Sequence, residues 1–165
     1  MRLLAFKGAS FISKLIRWQT RSEYSHIAIE LDSGEIIEAW HRGGVQIHSC
    51  RGGLLDVHEE GTEIDIYSIT TTPVQEMALT QWLKAQVGDS YDFRSVFRFL
   101  SRRPASENNR WFCSELAAKA AENVGLELQR APAHHLSPRD LAMSPRCEYA
   151  GSMKLCPVLL SAEIK

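Results

Sequence analysis

A cysteine near the start of a helix, a histidine on a strand and a carboxylate two registers away are enough for nucleophilic acyl chemistry, and this chain carries all three. The repeat Cys113, Leu116, Ala117, Ala120, Ala121, Val124 has the i, i+3, i+4 helical period, with Gly125 as its stop. Cys113 therefore opens a buried helix, beside unpaired backbone N–H groups and the positive end of the helix dipole. Both favour thiolate over thiol, and the same N–H groups suit an oxyanion. The other reading of Cys113 is a small buried hydrophobe, as most free cysteines are.

The base comes from Tyr24-Ser25-His26-Ile27-Ala28-Ile29-Glu30-Leu31, which alternates so that Ile27, Ile29 and Leu31 face the core and His26 shares the other face with Ala28 and Glu30. Asp32-Ser33-Gly34 suits a three-residue hairpin loop with Gly34 left-handed. That register sets His26 opposite Trp40 and Ala28 opposite Glu38, making Glu38 the diagonal neighbour of His26 on one face. A two-residue turn would send Glu38 to the wrong face. A surface cross-strand pair is the other reading of His26 and Glu38.

The elements that must hold these residues follow in order. Residues 2–6 read as a strand, 10–18 as a helix, and 25–31, 35–40, 44–48 and 63–69 as strands of an antiparallel sheet. Thr72-Pro73-Val74-Gln75 is a capping box ahead of a helix that ends near Gly88. A short helix is expected at 93–100, another from Ser137-Pro138-Arg139-Asp140, and a last strand at 152–159. With 165 residues, no repeat and no linker-like tract, the chain reads as one domain over 1–165.

Taken together, Thr20 to Ile29 with Ser25-His26, then Ile37-Glu38-Ala39-Trp40 and Gly44-Val45, then Tyr91-Asp92, and last Phe112-Cys113-Ser114-Glu115-Leu116 resemble the circularly permuted NlpC-type papain-like cysteine hydrolases. The YiiX/YaeF-like bacterial proteins are the nearest subgroup, and lecithin:retinol acyltransferase is similar at a greater distance. The resemblance spans residues 8–142. It implies an α+β papain-like fold with an antiparallel sheet packed on the Cys113 helix. It further implies Cys113 as nucleophile, His26 as general base, Glu38 as the third member and Tyr91 as a tyrosine near the nucleophile. A buried core tyrosine is the alternative for Tyr91. The expected activity is amide or peptide hydrolysis through a thioester acyl-enzyme. A thiol acyltransferase or lipid hydrolase with the same site, and a non-catalytic binding domain on the same fold, are the rivals.

Composition narrows the partners. A formal net charge of -1 gives no global attraction to nucleic acid or to an anionic membrane; a small peptide, amide or acyl substrate is what the resemblance implies. Contact with lipid is not indicated. Arg94, Arg98, Arg102, Arg103 and Arg110 make the run into Cys113 locally basic; a solvated helix face is the favoured reading, and an anionic substrate carboxylate or lipid headgroup is the alternative. Without a signal-like or membrane-spanning stretch, a cytoplasmic location and free thiols at Cys50, Cys113, Cys147 and Cys156 are expected. No Cys or His spacing forms a zinc pattern, so neither metal nor other cofactor is expected. His41, His48, His58, His134 and His135 lack partners in the sequence and read as surface or loop residues, with Trp40 as a wall of the site.

Overall fold

The computed structural model describes residues 1–92 and 110–157. Its elements are β1 (Arg2–Phe6), α1 (Phe11–Thr20), β2 (His26–Glu30), β3 (Ile36–Trp40), β4 (Gly44–His48), a 3-10 helix (Arg51–Asp56) and β5 (Glu63–Ser68). Then come α2 (Pro73–Ala85), β6 (Ser90–Tyr91), β7 (Arg110–Trp111), α3 (Cys113–Asn123), a 3-10 turn (Ala133–His135), α4 (Pro138–Ala142) and β8 (Glu148–Lys154). The last strand thus begins earlier than 152, because Tyr67 and Ser68 of β5 already pair with Tyr149 and Glu148. The expected helix at 93–100, and the arginines there other than Arg110, lie outside the described residues.

The architecture is α+β. Six strands form one antiparallel sheet in the order β4-β3-β2-β1-β5-β8. Alternation along the strands divides its two faces. Leu3, Ala5, Ile27, Ile29, Ile37 and Ala39 point to a larger core shared with Leu79 and Leu83 of α2 and Leu116, Ala117, Ala120 and Ala121 of α3. The alanines let α3 approach the sheet closely, and complete burial of Leu116 alone stabilises by about 1.5–3 kcal/mol. Leu4, Phe6, Ala28, Ile36, Ile64 and Ile66 point the other way, under Leu54 of the 3-10 helix.

The first hairpin has the expected register: Ile29 pairs with Ile37 and Glu30 with Ile36. Gly34 closes the loop at φ 88°, and the Leu31 N–H donates to the Glu35 carbonyl at 2.9 Å. The ladder between β2 and β3 runs over those two pairs, whereas β1 with β2 and β3 with β4 each pair along five. The sheet is therefore splayed between His26–Ala28 and Glu38–Trp40. Farther along, Gly44 sits at φ 77° with the Asp89 carbonyl where a Cβ would be. Only glycine permits that approach, which lets the Val45 N–H donate to Asp89 at 2.8 Å and brings Tyr91 alongside β4.

Candidate active site

Cys113 is the first residue of α3, and no side chain caps this helix. Its Cys113 and Ser114 N–H groups are turned toward the Cys113 sulfur. The sulfur, 2% exposed, is approached by the backbone N–H groups of Ile27, Ser114 and Cys113 itself. Ile27 belongs to β2, so the nucleophile candidate reaches the splay beside His26. Burial nevertheless dominates: it pushes the thiol up to about 12, against those N–H groups and with some help from the charge of Glu38. The expectation of a resting thiolate is corrected here. A helix N-terminus does not offset so complete a loss of solvent, and Cys113 rests as a neutral thiol.

His26 and Glu38 meet as the hairpin register requires. The His26 Nε2 lies 2.6 Å from Glu38 Oε2, both side chains buried. Burial lowers the affinity of His26 for a second proton, and the Glu38 carboxylate opposes that without reversing it. Because an ionised carboxylate only accepts hydrogen bonds, the ring carries its proton on Nε2, leaving a lone pair on Nδ1. The ring is thus a neutral base held in one tautomer. Among the described residues no hydrogen bond joins Cys113 to His26. Tyr91 is buried next to Phe112, with ring centroids 6.0 Å apart, and burial and the nearby Cys113 both raise its hydroxyl.

Glu38 serves more than His26. His58 Nε2 is 2.8 Å from the same oxygen, and His48 Nε2 is 2.9 Å from Oε1. Burial would raise this carboxyl, but bonds from three imidazoles, His26 first, hold it well below the ordinary carboxylate range. His48 and His58 are therefore neither surface residues nor without partners, although His58 does lie in a loop. His48 lies on β4, where Glu38 pairs with Gln46, so it is the diagonal neighbour of Glu38 on the same face. Extending the hairpin argument to the second turn at Gly43-Gly44 finds it. His58 follows the 3-10 helix and is clamped between Phe6 and Trp40, each ring 4.3 Å away; no local pattern marks it. His41 is half-buried beside Trp40, and His135 is exposed. Trp40 does form a wall, against His26 and His58.

Two openings reach this region. A cavity of about 210 Å³ is lined by Phe6, Ser25, His26, Trp40 and His58 among others. A smaller crevice brings Tyr91 together with His26, Trp40 and His41 under Ile12 of α1 and its N-cap Ser10. The ligand atoms of His26, Glu38 and His58 also lie within 4.8 Å of one another. Two imidazole nitrogens and a carboxylate oxygen are a donor set for a divalent transition metal, and the cavity borders both imidazoles, so these residues fit such an ion.

The fold has a counterpart among bacterial proteins of α+β architecture. The chain is similar to the solved structure of the metalloprotein yiiX from Escherichia coli O157:H7, with a TM-score of 0.70 over 92% of this chain and 96% of that one, at 18% identity. No family model matches the chain, and no curated protein matches it. The likeness supports a YiiX-like fold. Among the described residues no helix is long and apolar enough to cross a membrane.

Proposed function

We propose that the chain is a cysteine hydrolase of the permuted papain-like kind, acting on an amide, ester or thioester through Cys113. One observation carries this reading: a buried carboxylate fixes His26 with its lone pair on Nδ1, while Cys113 begins an uncapped helix in the adjoining splay. In the mechanism this supports, Cys113 attacks the carbonyl as its proton passes to His26 Nδ1. With both groups neutral at rest, transfer accompanies attack instead of preceding it. The N–H groups at the start of α3 stabilise the oxyanion, and Tyr91 adds a hydroxyl in this reading. His26, now an imidazolium paired with Glu38, returns the proton to the leaving group, and water releases the acyl group by the same route. An acyl acceptor other than water would make the same site a transferase.

A panel of small peptide amides, esters and thioesters tests the reading. Turnover of at least one class that is lost in Cys113→Ala is expected; turnover unaffected by that substitution would overturn it. A second reading rests on the His26, Glu38 and His58 donor set and on the description of yiiX as a metalloprotein. Those three residues would hold the ion, which would supply Lewis acidity at the cavity.

A further inference from the structure

We propose that His26, Glu38 and His58 form a divalent-cation site, zinc being the reference ion, and that filling it withdraws His26 from Cys113. The second half rests on the hydrolase reading; the first does not.

The site is built from three separate parts of the chain. His26 comes from β2, Glu38 from β3, and His58 from the turn after the 3-10 helix, and all three are buried. Their ligand atoms already converge within 4.8 Å. His58 is fixed by its stacking on Phe6, and Glu38 by the bond of its other oxygen to His48. Little side-chain freedom remains to be lost on binding. The cavity of about 210 Å³ bordered by His26 and His58 provides entry and room for a water ligand.

Occupancy and base catalysis compete for one ring. A cation takes a lone pair on the His26 Nε2, where the metal-free ring carries its proton. The neutral ring must then hold that proton on Nδ1, the position that would take the Cys113 proton in the proposed hydrolase. No charge is gained or lost on the ring, but its acceptor has become a donor. The Cys113 proton has nowhere to go. Zinc therefore acts as an inhibitor of thiol chemistry here, without ligation by sulfur.

Zinc titration of the chelator-stripped full chain against a chromophoric chelator tests the site. One equivalent is expected in the wild type and also in Cys113→Ala. His58→Gln, which retains an N–H donor for Glu38, should weaken binding by about tenfold or more. X-ray absorption on the zinc-loaded wild type should show imidazole nitrogens and oxygen around the metal and no sulfur, a result independent of how any variant folds. Absence of stoichiometric binding in Cys113→Ala, undiminished affinity in His58→Gln, or a sulfur ligand would overturn the site. Acylation of Cys113 by p-nitrophenyl acetate at neutral pH, followed by mass spectrometry, should slow when one equivalent of zinc is added. Binding with no change in that rate would overturn the competition while leaving the site, and failure to find any hydrolysed substrate would bear on neither measurement.

Discussion

Removing a carboxylate from water costs several kcal/mol, and Glu38, 1% exposed, offsets that with three N–H donors from His26, His48 and His58. Glu38→Gln puts an amide NH2 where one oxygen was, so at least one imidazole must face a donor with a donor or swap its tautomer. The expected result is a loss of roughly 1–3 kcal/mol in urea unfolding. Acylation of Cys113 should fall by about 10²–10⁴-fold, because the His26 lone pair on Nδ1 is no longer enforced. Wild-type values for both would show that Glu38 does not orient His26. Cys113 gives a second prediction. Its thiol is held at about 12 by burial, so the thiolate fraction rises tenfold per pH unit throughout the neutral range. The logarithm of its alkylation rate should climb between pH 7 and 10 without levelling. A plateau below pH 8 would mean that a preformed thiolate and imidazolium pair exists after all.

At the scale of elements, what could be read from the sequence is what local chemistry dictates. The Thr72–Gln75 capping box is formed, Ser137 starts its helix with Asp140 reaching back to it, and the β2–β3 hairpin takes the register of the three-residue Asp32-Ser33-Gly34 loop and not that of a two-residue turn. That register alone made His26 and Glu38 legible as partners. His58 was not legible, since its position depends on a 3-10 helix and on rings from β1 and β3. The resting state of Cys113 was misjudged because burial is a tertiary property that helix position does not reveal. Asp65 is another junction of this kind. It accepts from Tyr24 at 2.7 Å and Ser152 at 2.5 Å and pairs with Lys7 at 2.9 Å, tying β5 to β8 and to the segments on either side of α1. Burial would raise its carboxyl, but these partners, Ser152 and Tyr24 ahead of Lys7, bring it below the ordinary value. A lowered carboxyl stabilises the fold above the unfolded value of 3.8, and this contribution fades as pH falls through the folded one. Asp65→Asn should therefore cost about 1–3 kcal/mol at pH 7 and progressively less below pH 4, read from urea midpoints. An equal loss at pH 7 and pH 3 would show that ionisation of Asp65 is irrelevant.

For the molecule as a whole, the sheet separates the two halves of the site and then opens to reunite them. Cys113 rides on a helix packed against one face, while His26 and Glu38 are rooted on the other. They can cooperate only through the splay where β2 and β3 cease to pair. Acylation of Cys113 is the decisive event of the proposed mechanism. The direct measurement is intact-mass and peptide mapping after brief exposure to an activated acyl ester such as p-nitrophenyl acetate at neutral pH. One acyl group on Cys113 is expected in the wild type, none in Cys113→Ala, and a rate reduced by about 10²-fold or more in His26→Ala with the fold retained. Acylation that spreads over Cys50, Cys147 and Cys156 without preference, or that proceeds at Cys113 equally fast without His26, would contradict the proposed hydrolase.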